Sequence, residues 1–445
     1  MKRATLWGMI SLCLCLSAGY SVSAKAQTPT PSAGTFESGH ELKFVVIVSR
    51  HGVRSPTGKP GQLNQYSSQP WPVWSVPPGY LTAHGAQLMT LFGAYDRQQL
   101  AAEGLLAASG CADAAHIRIV ADSDQRTRET GKALAAGMAP GCAVEVAALP
   151  EGTNDPLFHF RSSGEPQGYK DLAAAALLGR IGGNPNGLTE AYRPELESLE
   201  AVLRGCSTPV ECAKAAAPAA QSLLDIPVSI GPGKSDHLVE LHTPLGTASS
   251  MTEDLLLEYT EGMDAANVGW GRVDTNKLRE LMRLHTASED VSQHTGIIAR
   301  AQCSNLLSHL LRSIEQARSG AAVAGALSKP DDRLLILVGH DTNLASIGGA
   351  LNLNWLIDGR RDDTPPGGAL VFELWKKRGA EDYSVRTFYA AQTLDQMRNA
   401  TPLSLANPAE RVPVFVPGCG QADGSCRWDA FQRTVQAAID PAFVN

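Results

Sequence analysis

Apolar residues fall in short runs separated by amphipathic stretches. Leu42-Lys-Phe-Val-Val-Ile-Val-Ser49 is almost unbroken and rich in β-branched residues, the pattern of a strand covered on both faces. Arg333-Leu-Leu-Ile-Leu-Val338 reads the same way, and His116-Ile-Arg-Ile-Val-Ala121 is a shorter strand. Gly368 to Trp375 and Tyr383 to Ala391 alternate more cleanly and read as later, edge-ward strands. Between these runs the spacing turns helical. Leu88, Leu91, Phe92 and Tyr95 sit at i, i+3, i+4 and i+7, an Ala-rich helix follows Arg128, and Gly296 to Arg318 is a long amphipathic helix. From about Tyr169 to Leu284 helical patterns and Pro/Gly loops dominate, with little sign of strands. Strands separated by helices predict an α/β fold. Its mixed sheet, flanked by helices, is expected over residues 42–165 and 285–445, with a mostly helical inserted domain over 166–284.

The first 26 residues are expected to be a signal peptide. Lys2 and Arg3 precede an apolar stretch from Ala4 to Tyr20, and Ala24-Lys25-Ala26 gives the small-x-small cleavage pattern. A flexible Pro/Ser/Gly-rich leader is expected over 27–41. A periplasmic or secreted protein without a membrane anchor follows from that reading. At 43% hydrophobic and 19% charged, the 445-residue chain has ample material for a core and is no disordered tail. The formal net charge is −7; cleavage would remove three cations and no acid, giving −10. An acidic chain without a basic run argues against nucleic acid as a partner. An anion would have to be held by a local cluster of positive charge. Cys206/Cys212 and Cys419/Cys426 are spaced as short loop staples, and Cys111/Cys142 would bracket a strand and a helix. Spacing does not fix that connectivity. Cys303, in a helix, is the odd thiol.

Candidate chemistry gathers where strands end. Arg50-His51-Gly52-Val53-Arg54-Ser55-Pro56 puts two guanidiniums on either side of one imidazole directly after a buried strand. Arginine forks match phosphate oxygens two at a time, and flanking cations disfavour the imidazolium. A neutral imidazole can attack phosphorus. Gly52 would let the backbone approach the ligand, and Pro56 would stiffen the loop exit. His340-Asp341 follows a second strand, with Asp341 placed to cap the next helix. Arg126 follows a third, in Asp122-Ser-Asp-Gln-Arg-Thr-Arg128. Ligands of such sheets bind beyond the carboxyl ends of the strands, so the three segments should converge.

These residues resemble the histidine acid phosphatases, a branch of the phosphoglycerate-mutase-like superfamily, which carry R-H-G-x-R-x-P and H-D. The second motif reads H-D-T-N here, as in bacterial periplasmic phytases and glucose-1-phosphatases. The likeness extends through Trp71-Pro-Val-Trp74, Asp155-Pro-Leu-Phe158, Gly269-Trp-Gly-Arg272, Thr364-Pro-Pro-Gly-Gly368 and Thr401-Pro-Leu-Ser404. It implies a phosphoglycerate-mutase-like sheet and a phosphohistidine mechanism. His51 would be the nucleophile, with Arg50, Arg54, Arg126 and His340 on the phosphoryl oxygens and Asp341 as proton donor. Neither metal nor cofactor is expected. Acid-side activity would follow if Asp341 were raised and His51 lowered in pKa.

The ester is less sharply implied. Phytate-cleaving relatives place Thr-Lys after the first motif, whereas here Thr57-Gly58-Lys59 moves the lysine one residue on. Ser250-Met251-Thr252-Glu253 resembles the segment bordering the substrate, with Met251 displaced by one, and Asp122 matches an aspartate of the specificity rim. Gln302 stands where phytases often have a second arginine. The expected function is a monomeric, secreted, phytase-like acid phosphomonoesterase. Glucose-1-phosphatase or broad acid phosphatase activity is the alternative, and a non-catalytic phosphosugar-binding protein the alternative outside enzymes. A mutase would lack Asp341 and an export signal, and a capture protein could dispense with His51. Gly231-Pro-Gly-Lys-Ser235 ends like a phosphate-binding loop, but Val228 stands where its first glycine belongs and no strand leads into it.

Overall fold

The computed structural model describes residues 39–445 except 59, 162–164, 207–210 and 212–220. The readings of residues 1–38, of Lys59 and of Cys212 lie outside the described residues. The apolar runs form β1 (His40–Arg50), β2 (Ile117–Ala121), β3 (Val146–Ala147) and β4 (Leu334–Gly339). They are joined by β5 (Ala369–Lys377), β6 (Tyr383–Ala391), β7 (Glu410–Pro413) and β8 (Ser425–Arg427). One eight-stranded mixed α/β sheet results, in the order β7-β6-β5-β1-β4-β2-β3, with β8 beside β6. β1, β4, β2 and β3 run parallel, and β5 to β8 pair antiparallel. β5 is an internal strand against β1, with seven of its nine residues buried, so it is not edge-ward as its alternation suggested. β1 begins at His40, inside the stretch expected to be a leader.

Register decides where the chemistry lands. Arg50 pairs with Gly339, and Ala121 pairs with Val338. The three strands therefore end level, and His51, Asp122 and His340 leave neighbouring strands side by side.

Helices α1 (Ala83–Ala102) and α2 (Gln125–Met138) follow β1 and β2. The stripe on α1 buries Leu88, Phe92 and Tyr95, but Leu91 is only half-buried and Met89 takes its place. Next come α3 (Tyr169–Arg180), α4 (Arg193–Arg204), α5 (Pro244–Thr260) and α6 (Thr275–Gln293). They share a core that includes Leu177, Leu199, Leu255 and Leu281. The expected boundary at 284/285 falls inside the continuous helix α6. An antiparallel ribbon, Ser229–Pro232 with Val239–His242, lies among these helices; contrary to the sequence reading, a short strand does lead into Gly233-Lys-Ser235, which lies in the ribbon's turn. α7 (Gly296–Ser319), α8 (Asp341–Leu351) and α9 (Trp428–Ala438) pack on one sheet face over Phe44, Val46, Val48, Leu335 and Leu337. No helix of the described residues is long and apolar enough to cross a membrane. Cys111 pairs with Cys142 and Cys419 with Cys426, and Cys303 is a buried free thiol.

Candidate active site

The loop after β1 is fixed by backbone bonds on both sides. Arg50 N–H donates to Gly368 O (2.8 Å), His51 N–H to Gly339 O (2.9 Å), and Gly367 N–H to His51 O (2.9 Å). Gly52 donates to Thr130 Oγ1 (2.9 Å). Gly52 also serves packing: a Cβ there would come within 2.8 Å of Met89 Cγ and 3.1 Å of Gly85 O. A side chain would therefore push the loop off α1.

His51 is 2% exposed. Its Nδ1 lies 2.9 Å from Gly52 O, so in the neutral ring Nδ1–H donates there and the Nε2 lone pair is free. Burial first, then the cations of Arg126, Arg50 and Arg54, push its pKa well below the ordinary value. This setting favours the neutral imidazole.

Three guanidiniums surround it. Arg50, fully buried, donates from Nη1 to Thr364 O (2.5 Å) and from Nη2 to Glu253, and pairs with Asp341 Oδ2 at 2.9 Å. Burial opposes its charge, but Asp341 and Glu253 keep it cationic. Arg54 donates to Ser55 O (3.0 Å) and lies 3.7 Å from Glu253. Arg126 pairs with Asp124 (2.5 Å) and reaches His340 Nδ1 at 3.4 Å. The Nε–H of all three is buried without a hydrogen-bond partner. Buried donors are normally satisfied, so this cluster has capacity for an anion's oxygens.

His340, not Asp341, is the N-cap of α8: its N–H donates to Asn343 Oδ1 (2.9 Å), and Asp341 is the first helical residue. The expectation that Asp341 is raised is overturned. Burial favours its neutral form, but Arg50 and Arg54, with His285 and His340, hold the carboxyl well below the usual range.

Two of the residues expected on the rim lie deeper. Asp122 is fully buried, and its Oδ2 accepts from Nε2 of both His340 (2.7 Å) and His159 (2.8 Å). Glu253, 6% exposed on α5, sits behind Arg50 and Arg54. Each holds a phosphate-facing candidate in place and is not open to solvent. Thr57 is exposed at the mouth, beside Gly79 and Arg126.

Pattern reading missed His159 and His285. His159 follows a tight turn in which Leu157 N–H donates to Asp155 Oδ1 (2.9 Å), and Asn343 Nδ2 ties that turn to α8 through Phe158 O (2.7 Å). The Asp155-Pro-Leu-Phe158 motif was a signal that this turn nears the site. His285 is buried, bonded to Ser249 Oγ (3.1 Å) and 3.9 Å from Glu253. A helical histidine gives no such signal.

A polar cavity of about 490 Å³ adjoins this cluster, lined by Ser123, Asn154, His159, His237, Gln302 and Thr342 among others. Asp122, Asp124, His159 and His340 lie close enough together to resemble a metal-ligand set. Their facing atoms are instead hydrogen-bonded to one another and to Arg126, a setting that favours an anion over a cation.

A family model for the histidine phosphatase superfamily, branch 2, matches residues 41–172 and 259–390. The chain is 37% identical over 419 residues to phytase AppA of Escherichia coli (strain K12), covering 93% of this chain and 96% of that one. It is 30% identical over 446 residues to the glucose-1-phosphatase of Providencia rettgeri, covering 96% and 99%. Among solved structures it is similar to the Hafnia alvei phytase in complex with myo-inositol hexakis sulphate. That match has a TM-score of 0.79 and 33% identity, and covers 92% of this chain and 99% of that one.

Proposed function

This chain belongs to branch 2 of the histidine phosphatase superfamily and is a histidine acid phosphatase; from that premise we propose that it hydrolyses phosphate monoesters through a phosphohistidine on His51, with myo-inositol hexakisphosphate among its substrates. The observation that carries the reading is the buried His51 ring, its Nδ1 2.9 Å from Gly52 O, amid three guanidiniums with unpartnered N–H groups. His51 Nε2 attacks phosphorus in line, and the P–O bond to the leaving oxygen breaks. Arg50, Arg54 and Arg126 stabilise the charge on the three remaining oxygens, and His340, whose Nε2–H is held by Asp122 Oδ2, joins them through Nδ1 when its ring is protonated. Asp341 gives the leaving alkoxide its proton. Water then attacks phosphorus as Asp341 takes its proton, the P–N bond breaks with its electron pair returning to His51 Nε2, and inorganic phosphate leaves.

The low pKa of Asp341 belongs to the ligand-free site. A bound phosphate neutralises the arginines that hold the carboxyl down, so its affinity for a proton rises. At acid pH the ester arrives as a monoanion and can supply that proton.

The phytase reading draws on the AppA and Hafnia alvei likenesses and on the roomy polar cavity. Glucose-1-phosphatase is the second reading, favoured by Gln302, a neutral residue on the cavity wall. Export, expected from residues 1–26, is supported by the disulfides Cys111–Cys142 and Cys419–Cys426. A monomer with no nucleic-acid partner completes the proposal. The test is kcat/KM on phytate, glucose 1-phosphate, glycerol phosphate and p-nitrophenyl phosphate at acid pH. Phytate should lead; a lead for glucose 1-phosphate selects the second reading, and no turnover of any of them refutes both.

A further inference from the structure

We propose that His159 is a specificity-determining residue whose imidazolium holds a second phosphate group of the substrate, one that is not being transferred. The inference rests on the phosphomonoesterase reading above and deepens it. Three imidazoles meet at Asp122 and the arginine cluster, but they differ in access. His51 and His340 are buried, whereas the His159 side chain is 39% exposed. The transferred phosphoryl group is matched to the arginines, so the rest of the ester extends into the adjoining cavity that His159 lines.

The hydrogen bonding fixes which edge of the ring faces a ligand. Nε2 is committed to Asp122 Oδ2 at 2.8 Å, which leaves Nδ1. That nitrogen donates to an anion only when the ring is protonated. Charged groups face His159 from every side. Asp122 and Asp124 follow β2, Arg126 lies on α2, and His340 stands 5.1 Å away, ring to ring. Asp155 and Arg161 lie on its own segment, and Asp236 and His237 come from the ribbon turn. Asp124 is paired with Arg126, and Asp236 accepts from Asn154 (3.1 Å), so both cavity carboxylates have partners. Burial lowers the pKa of His159, but Asp122 outweighs it and sets the value above the ordinary one. The contact with Asp122 therefore favours the imidazolium, whose Nδ1–H faces the cavity.

The experiment measures kcat/KM for phytate and for p-nitrophenyl phosphate from pH 4 to pH 8. It uses the wild type, His159→Asn and His159→Arg, with thermal melts to check folding. Asparagine keeps a donor for Asp122 but has no charge; arginine is charged at every pH. At acid pH the phytate to p-nitrophenyl phosphate ratio should fall about three- to tenfold in His159→Asn. In the wild type the ratio, normalised to His159→Asn so that phytate's own ionisation cancels, should drop as the ring deprotonates. In His159→Arg the normalised ratio should persist to pH 8. An equal ratio in wild type and His159→Asn at every pH overturns the proposal, even if both rates change together, while leaving the phosphatase reading intact. Loss of turnover on both esters in the wild type would remove the reading beneath it as well.

Discussion

At the floor of the site Arg50, His51 and His340 are each no more than 5% exposed and are held by the level ends of two adjacent parallel strands, β1 and β4. On the wall His159 is 39% exposed, and the ribbon turn bearing Asp236 and His237 is open to solvent. Charges on the floor act in a desolvated, preorganised setting, where each hydrogen bond to a developing charge counts most. The floor sees only a PO₃ group, which every monoester has in common. The wall sees the alcohol, which differs from ester to ester. Floor variants should therefore damage all substrates alike, and wall variants should re-rank them.

His51→Ala is the harshest break. It should lower kcat at least about 10⁴-fold on every ester, because the covalent route is lost. A loss confined to one ester would place His51 on the wall. Asp341→Asn comes next and splits by leaving group. Alkyl esters should lose about 10²- to 10⁴-fold in kcat, whereas p-nitrophenyl phosphate, whose phenolate leaves without a proton, should lose far less. Equal losses would mean that Asp341 acts through Arg50 and not on the leaving oxygen. Glu253→Gln removes a carboxylate from behind Arg50 and Arg54. About a tenfold loss in kcat/KM is expected, again equal across esters.

The smallest effect concerns stability. Burial raises the carboxyls of Asp254 and Glu258 on α5, to about 7 and about 8. Their folded-state pKa values lie above the unfolded ones near 4, so the folded chain binds more protons in that window. Stability from these groups is full below about pH 4 and is lost as pH rises towards 8. The melting temperature should fall over that range, and Glu258→Gln should flatten the fall. An unchanged slope in this variant would show that Glu258 is ionised in the folded chain.

The floor was legible in the sequence because its residues stand next to strand-forming runs. A motif after Ser49 and another after Val338 can hardly avoid the sheet edge, and parallel pairing of β1, β4 and β2 brings the edges together. The strand at 369–377 was misplaced because clean alternation resembles an edge strand, while its burial comes from pairing with β1 and β6. Asp122 and Glu253 were matched to rim positions, but adjacency along the chain does not tell which way a carboxylate turns. Asp122 turns to His340 and His159, and Glu253 to Arg50. The pKa of Asp341 was misjudged for a related reason: its partner Arg50 is 291 positions away in sequence but 2.9 Å away in space. His159 had no periodicity or spacing to mark it, only its place after a turn.

One measurement bears most directly on the covalent role of His51. The enzyme is mixed with ³²P-labelled ester, quenched within milliseconds under alkaline denaturing conditions that preserve phosphohistidine, digested and mapped. Label on the peptide carrying His51, absent from His51→Ala and released by acid, is the expected result. Label on a different residue, or none at any time point during rapid turnover, would contradict it.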